Sequence, residues 1–231
     1  MVLVARTTSK LQELAVDLRE EGVDVEILTA DLTATDGLRS VEDRLRHARL
    51  PVDLLVNNAG MGQVGRFDRF DADETEQVIA LNVLAPVRLV YAALPRLQVL
   101  HGGVLNVSSI GANQPVPHMA VYAASKAFLT SWGEAIHEEL RRTSVHVTTL
   151  APGFTRTNFA AEASADDAAS RIPTVVWADP ATVARIGVDG VAHGRAVVTP
   201  GPIYRAGATL SNLTPSSVSR RVIGTVMRYL D

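Results

Sequence analysis

Residues 102–126, GGVLNVSSIGANQPVPHMAVYAASK, begin in the pattern of a buried strand and end inside the pattern of a long helix. The apolar run at 102–109 predicts the strand, and the segment AVYAASKAFLTSWGEAIHEELRRT from residue 120 onward predicts the helix. The same alternation extends in both directions, from a strand at MVLVA to a last short strand at AVVTPG. Such alternation, with continuous apolar strands, predicts an α/β fold in which helices cover both faces of a parallel sheet.

Bulk composition excludes several classes of protein. The chain has 231 residues, 47% hydrophobic and 20% charged residues, and a formal net charge of −3. We therefore predict a single folded domain over residues 1–231 and no nucleic-acid partner, because a basic field is lacking. The absence of cysteine excludes disulfides and thiolate metal sites, and we predict no metal site. The first apolar run is too short for a signal peptide, and we expect no integral membrane span and a cytoplasmic location.

The polar segments that follow the predicted strands indicate where a ligand binds. They are DL, NNAG, NVSS and APGFTRT. In a doubly wound sheet, ligands bind at the carboxyl ends of the strands, so we expect these segments to face one crevice. The small, polar stretch AAEASADDAAS at 160–170 is typical of a loop or flap over such a crevice.

Tyr122 and Lys126 form the first candidate catalytic pair. They are four residues apart on a predicted helix and therefore share one of its faces. A lysine ammonium beside a phenol favours the phenolate, so we expect the pKa of Tyr122 to lie below its ordinary value of about 10. Such a phenol can donate and accept protons near neutral pH. Taken alone, the spacing is more typical of an ordinary surface helix, and the case depends on its context.

The context consists of several motifs whose order and spacing agree. With these motifs the sequence resembles the short-chain dehydrogenase/reductase family, and the resemblance runs through most of the chain. The matching pieces are Asn57-Asn58-Ala59-Gly60, the helix residue Asn82, Ser109, the YAASK block from Tyr122 to Lys126, and Pro152-Gly153 with Thr157. The resemblance implies a Rossmann-like doubly wound parallel sheet with helices on both faces, and an enzyme that interconverts a carbonyl and an alcohol by hydride transfer.

The resemblance also implies a role for each catalytic position. Tyr122 would be the general acid in carbonyl reduction and the base in alcohol oxidation. Lys126 would lower the pKa of Tyr122 and bond the cofactor ribose. Ser109 would donate a hydrogen bond to the substrate oxygen, and Asn82 would hold a water in the proton relay to Lys126.

Each of these positions also has a structural interpretation. Asn82 could bond to the backbone inside its helix, and Ser109 could be a turn cap, although Ser108 is the more typical cap. His118, in the loop before Tyr122, could reach the substrate but is more typical of a solvated loop residue.

Further positions would contact a nicotinamide cofactor, as the resemblance implies. Tyr122 and Lys126 belong to this set. Asp31 and Leu32 would contact adenine. Asn58, Ala59 and Gly60 would line the adenosine and ribose region. Phe154, Thr155 and Thr157 would contact the nicotinamide amide.

Ala5 and Arg6 carry the clue to cofactor preference. They follow the strand residues VLV, where an acidic residue would favour NAD. Alanine leaves room and a guanidinium suits a 2′-phosphate, so we expect NADP(H) to be preferred over NAD(H). A plain surface charge is the alternative for Arg6.

One family feature has no counterpart in the sequence. Members of the family carry a Gly-rich TGxxxGxG turn after a first strand, whereas the first glycine here is Gly22. The opening strand matches the family's second strand, so we interpret the first βα unit as missing. Strands two and four could then pair directly, or the gap could be filled by a partner chain or an upstream segment. We expect this chain to bind NADP(H) poorly or not at all.

Two functions follow as hypotheses. The first is an NADP(H)-dependent oxidoreductase acting on a small-molecule carbonyl or alcohol. The resemblance also implies a homodimer or homotetramer, with an interface formed by the helix that contains Asn82 and the helix that contains Tyr122. The alternative is a cofactor-deficient, non-catalytic remnant of the fold that acts as a binding or oligomerisation module.

Overall fold

The structure is a computed structural model that describes residues 1–47, 50–159, 163, 172–214 and 216–230. Its strands are β1 (Val2–Ala5), β2 (Glu26–Thr29), β3 (Leu54–Asn57), β4 (Gly103–Val107), β5 (His146–Leu150) and β6 (Val197–Val198). Its α-helices are α1 (Thr8–Glu20), α2 (Thr35–His47), α3 (Ala72–Ile79), α4 (Ala85–Leu100), α5 (Ala120–Leu140), α6 (Pro180–Ala192), α7 (Pro202–Leu213) and α8 (Ser216–Leu230).

All strand pairs are parallel, but they form two sheets. β1 pairs with β2, and β3, β4, β5 and β6 form a four-stranded sheet in that order. β1 does not pair with β3, so direct pairing, the first of the expected ways to fill the gap, is wrong for this structure. Both strands instead keep one edge without a strand partner among the described residues.

Helices pack on both faces of the four-stranded sheet, which confirms the predicted doubly wound α/β fold. Val104 and Val147 are fully buried against the face covered by α2, α4 and α5. Leu105 and Leu150 point to the opposite face and pack with Val183 and other residues of α6. Neighbouring residues of one strand thus enter opposite cores, as strand geometry requires.

The long helical segment Ala72–Leu100 is interrupted just before Pro86. A π-turn at Ala80–Leu84 joins α3 to α4, Pro86 lies in the first turn of α4, and Pro95 is tolerated inside the helix. The segment Ala72–Leu100 is long and apolar enough to cross a membrane by length and composition alone. Its inner face includes Leu89 and Leu97, which lie in the core beside the sheet.

The C-terminal part of the chain forms two helices. α8 is the last helix of the described residues. α7 was not predicted, because Pro202 and Gly207 are typical of loops, but proline is tolerated in the first turn of a helix. Ser219 Oγ in α8 donates to Gln114 Oε1 at 2.5 Å, which ties α8 to the loop after β4. The predicted flap at 160–170 lies outside the described residues except for Ala163.

Candidate active site

Tyr122 and Lys126 lie side by side at the start of α5, and both are buried, with 8% and 4% of their surface exposed. Ser108 Oγ donates to the Lys126 carbonyl at 2.8 Å and so ties this turn of the helix to the end of β4. The next residue, Ser109, forms a hydrogen bond with Tyr122. The structure therefore brings together three of the four predicted catalytic side chains at the carboxyl end of one strand.

The expected pKa of Tyr122 is wrong in direction for this structure. Burial raises the pKa of the Tyr122 phenol above 10.0, and the hydrogen bond from Ser109 offsets only part of that effect. Lys126 has little influence, because Lys126 Nζ lies 5.9 Å from the centroid of the phenol ring. Tyr122 is consequently protonated at neutral pH, which suits a proton donor.

The ammonium group of Lys126 is held in a nearly dry environment. Lys126 Nζ donates to the Val107 carbonyl at 2.8 Å. Burial lowers the pKa of Lys126 from 10.5 to about 8. The group is therefore mostly charged at pH 7, and an acceptor that enters the site can form a strong hydrogen bond with it.

Asn82, the fourth predicted catalytic residue, lies in the π-turn and is almost completely buried. Its Oδ1 accepts from the Met61 amide at 2.9 Å, and its Nδ2 donates to the Met61 carbonyl at 2.9 Å. The same Nδ2 donates to Ser125 Oγ at 3.0 Å, and Ser125 Oγ donates to the Tyr122 carbonyl at 2.7 Å. The side chain of Asn82 thus bonds to backbone, as its structural interpretation proposed, and fixes the loop after β3 beside α5.

Ser109 has a structural role in addition to its contact with Tyr122. Its hydroxyl accepts from the Gly111 amide at 3.1 Å and caps the short 3₁₀ helix at Ile110–Asn113. The prediction that Ser108 is the more typical cap is therefore wrong, because Ser108 is buried and bonds to Lys126 and Thr130.

The backbone at Asn58, Ala59 and Gly60 passes close to these groups. A Cβ atom added at Gly60 would lie 3.2 Å from Lys126 Nζ and 3.3 Å from Asn82 Oδ1. Glycine therefore keeps a space open above the lysine, and Asn58 and Ala59 are exposed at its rim. A ligand that approaches from the crevice can reach the ammonium group through this space, so these residues fit the ribose end of a nicotinamide cofactor.

Three further predicted cofactor contacts lie at the ends of β1 and β2. Thr33 is the main cause that lowers the pKa of Asp31, because its hydroxyl and amide donate to Asp31 Oδ1 at 2.7 and 2.8 Å. Arg6 is exposed, and its charge adds a smaller lowering of the same pKa. Leu32, predicted to contact adenine, packs its side chain against the main core.

The segment after β5 forms a third wall. Thr155 bridges to Ala178, whereas Phe154 and Thr157 are exposed. The residue that supports this wall is Tyr204 of α7, which was not predicted from the sequence. Tyr204 Oη donates to the Val176 carbonyl and accepts from the Phe154 amide at 3.2 Å.

A Cβ atom at Gly153 would lie 2.1 Å from the Tyr204 ring, so glycine is required for this close packing. The Pro152-Gly153 pair in the sequence was the only signal for it.

The comparison with known proteins agrees with this geometry. Residues 1–168 match the short chain dehydrogenase family. The chain is similar to 11-beta-hydroxysteroid dehydrogenase 1A of Arabidopsis thaliana, with 38% identity over 158 residues, which cover 67% of this chain and 44% of that protein.

Two solved structures extend the similarity over most of the chain. The first is a short-chain dehydrogenase from Sphingobium yanoikuyae in complex with NADPH, with 33% identity, a TM-score of 0.81 and coverage of 90% of this chain and 81% of that chain. The second is the bulky-bulky ketone specific alcohol dehydrogenase from Comamonas testosteroni, with 30% identity, a TM-score of 0.77 and coverage of 92% and 80%.

The chain therefore belongs to the short-chain dehydrogenase/reductase family. It spans about half the length of the curated relatives it matches, 44% of the Arabidopsis protein and 45% of a very-long-chain 3-oxoacyl-CoA reductase of Kluyveromyces lactis.

Proposed function

We propose that the protein is an oxidoreductase that interconverts a carbonyl and an alcohol, with Tyr122 as the general acid and base. The observation that carries the proposal is the buried Tyr122 phenol, hydrogen-bonded to Ser109 and adjacent to the buried ammonium of Lys126. The names of relatives as dehydrogenases and reductases support it. The non-catalytic alternative is not favoured, because a binding module does not require these three groups to converge.

Tyr122 and Ser109 handle the substrate oxygen in this proposal. A substrate carbonyl that accepts hydrogen bonds from both hydroxyls gains stabilisation as negative charge develops on its oxygen. Because its pKa is raised, the Tyr122 phenol holds its proton until that charge appears, and then transfers it to the oxygen. In the reverse direction, the tyrosinate accepts the proton of an alcohol.

Lys126 serves the cofactor in this proposal. Its buried ammonium is available to a ribose hydroxyl that enters above Gly60. A bound nicotinamide cofactor would supply or accept the hydride. Asn82 acts through the backbone, since it holds Met61 and Ser125 and so keeps the loop after β3 open beside Lys126.

Arg6 favours NADP(H) over NAD(H) in the proposal. It is exposed at the end of β1, where its guanidinium can pair with a 2′-phosphate. The NADPH complex of the Sphingobium relative supports nicotinamide cofactor use. A fluorescence titration of this chain with NADPH and with NADH tests the preference, and equal affinities for the two cofactors would contradict it.

The exposed apolar face of α4 and α5 supports a homodimer or homotetramer. Tyr91 is 74% exposed and Phe128 is 41% exposed, and the Phe128 ring stacks on Trp132 with centroids 6.2 Å apart. A groove of about 120 Å³ lies between the two helices. Sedimentation velocity tests this proposal, and a monomer at micromolar concentration would contradict it. The cytoplasmic location stays a prediction.

The catalytic proposal is tested by following the oxidation of NADPH by this chain with a panel of ketones at saturating cofactor. We expect reduction of hydrophobic ketones by the wild type and none by Tyr122→Phe. Turnover that is equal in the two proteins would remove Tyr122 from the mechanism. A lack of turnover in the wild type, with the cofactor bound, would favour the non-catalytic alternative.

A further inference from the structure

A small cavity beside the catalytic tyrosine has no role in the proposed proton transfer. Its volume is about 40 Å³, and its lining includes Gln63, Phe67, Phe70, His118 and Val121. Ala120 and Val121 of this lining belong to the first turn of α5, directly before Tyr122, although Tyr122 itself does not line the cavity. Its size admits about two or three water-sized groups, which is enough for one substituent of a larger molecule.

Gln63 is the unusual residue in this lining. Both polar atoms of its side chain, Oε1 and Nε2, are buried, and neither has a hydrogen-bond partner among the described residues. A buried polar atom without a partner destabilises the folded state, and such atoms in folded proteins call for an explanation. A carboxamide that is kept unpaired beside a reaction site is suited to bind an incoming group.

The backbone on both sides of Gln63 is fixed. Met61 is held by both polar atoms of Asn82, and the Gly65 amide donates to the His118 carbonyl at 2.8 Å. Between them, Gly62 packs so closely on Phe159 that an added Cβ would lie 2.8 Å from the ring.

The Phe159 ring in turn lies 5.4 Å from the Tyr122 ring, measured between centroids. The loop that carries Gln63 is therefore fixed in position relative to Tyr122. The side-chain amide of Gln63 is in this way preorganised relative to the reacting group.

The chemistry of the lining defines the group that would bind. A primary amide both donates and accepts, so it matches a neutral hydroxyl or carbonyl oxygen. A neutral oxygen needs no cation beside it, and Arg66, the arginine nearest to Gln63 in the sequence, is engaged with Asp68 at 2.9 Å. The rings of Phe67 and Phe70 suit an apolar skeleton around that oxygen.

We propose that Gln63 is a specificity-determining residue that binds a second, neutral oxygen of the substrate. The substrate class is a hydrophobic, cyclic ketone or alcohol with a further hydroxyl or keto group remote from the reacting carbon. This inference rests on the proposed function, because it assigns a substrate to the same site. Gln63 contacts the substrate away from the reacting atoms and takes no part in proton transfer.

The test compares matched ketones that differ only in the second oxygen. Decalin-1,5-dione is paired with 1-decalone, and androstane-3,17-dione is paired with the two androstanones that each lack one keto group. The wild type should show a kcat/KM ratio that favours the dioxygenated member of at least one pair. In Gln63→Leu and Gln63→Ala that ratio should fall about tenfold, whereas Gln77→Leu, which changes an exposed glutamine of α3, should keep it.

Thermal unfolding provides an independent readout. Because the amide of Gln63 has no partner among the described residues of the free protein, Gln63→Leu should unfold at the same temperature as the wild type or higher. A clear fall in Tm would mean that the amide has a structural partner, and that result would overturn the proposal. A wild type that does not distinguish either pair, or a ratio that is unchanged in both Gln63 variants, would also overturn it.

The outcome can be separated from failure of the proposed function. If the wild type reduces no ketone, the proposed function fails, and binding of each pair is then measured by saturation-transfer NMR. A preference for the dioxygenated ligands that is lost in Gln63→Leu still supports the binding site. Equal binding of both members of each pair overturns it.

Discussion

The four-stranded sheet and the two-stranded sheet differ in how their candidate residues are held. At the end of β4, Lys126 and Asn82 are buried and bonded to backbone groups of other elements. At the end of β1, Arg6 is exposed and acts on Asp31 through its charge. The side chains at the end of β4, where protons would move, form a rigid region. The side chain of Arg6 at the end of β1, where the cofactor would be selected, forms an adaptable region.

The two regions are joined through helices, because no strand pairing connects them among the described residues. Glu42 of α2 is buried, and Arg88 of α4 donates to its Oε2 at 3.0 Å. Arg46 adds a weaker contact to the same carboxylate at 3.4 Å. This arrangement predicts that chemistry, coupling of the regions, and cofactor choice respond to different substitutions.

The largest effect is expected from Tyr122→Phe in the rigid region. Removal of the phenol hydroxyl should lower kcat for ketone reduction about 10³-fold, because no other described side chain at the site replaces its proton. Binding of NADPH, measured by fluorescence, should change little. Tyr91→Phe, which alters an exposed tyrosine of α4, is the matched control and should keep kcat within about twofold of the wild type. Comparable losses in both variants would contradict the assignment.

The junction between the two regions is tested with Glu42→Gln. Loss of the buried carboxylate leaves Arg88, which is 35% exposed, without its ion partner, and we expect a fall of about 2 kcal/mol in the free energy of unfolding by urea. Asp68→Asn, in a fully exposed ion pair, should leave the urea midpoint unchanged.

The hydrogen bond from Arg88 is the largest cause that lowers the pKa of Glu42 below 4.5 in the folded state. The stabilisation is thus present above pH 4.5 and lost as the pH falls through the folded-state pKa. A wild-type protein whose stability does not fall over that acid range, relative to Glu42→Gln, would contradict the prediction.

Lys126→Met should separate stability from activity within the rigid region. Burial lowers the folded-state pKa of Lys126 to about 8 from 10.5, so the unfolded chain holds more protons between these values and wild-type stability rises with pH across this window. The variant avoids the buried charge, and we expect it to be about 2 kcal/mol more stable at pH 7, after the loss of the Val107 hydrogen bond.

This stability difference should shrink as the pH approaches 10.5, while ketone reduction is lost at every pH. Urea unfolding of both proteins at pH 7 and about pH 9.5 measures the stability difference. Lys10→Met, at the only other lysine of the sequence, is the control and should show no such pH dependence. A variant that is less stable than the wild type at pH 7 would argue against the cost of burying this charge.

The smallest effect is expected in the adaptable region. Arg6→Ala should weaken NADPH binding about tenfold and leave NADH binding nearly unchanged, because only NADPH carries the 2′-phosphate. The NADPH affinity of Arg6→Lys should lie between those of the wild type and Arg6→Ala, since lysine keeps the charge but not the bidentate geometry. Parallel loss of affinity for both cofactors would show that Arg6 does not read the phosphate.

The sequence predicted the fold and the composition of the site better than it predicted its electrostatics. Apolar strand runs and the Tyr122–Lys126 spacing depend on local periodicity, which a sequence contains. The raised pKa of Tyr122 depends on burial by Phe159 and other residues distant in the chain, which spacing alone does not reveal.

Other contacts were missed for the same reason. Tyr204 supports the segment at Phe154 from 50 residues away, and the unpaired amide of Gln63 is apparent only from its surroundings. The short strands and the split between β1 and β3 also depend on tertiary pairing rather than on local pattern.

The π-turn at Ala80–Leu84 makes the site sensitive to chain length as well as to residue type. A π-turn accommodates one residue more than a regular helical turn. Deletion of one residue there would convert the wide turn into a regular helical turn and change the direction in which the Asn82 side chain points. Asn82 could not then face both Met61 and Ser125, so natural variation in this protein should conserve the number of residues between α3 and α4 more strictly than their identity.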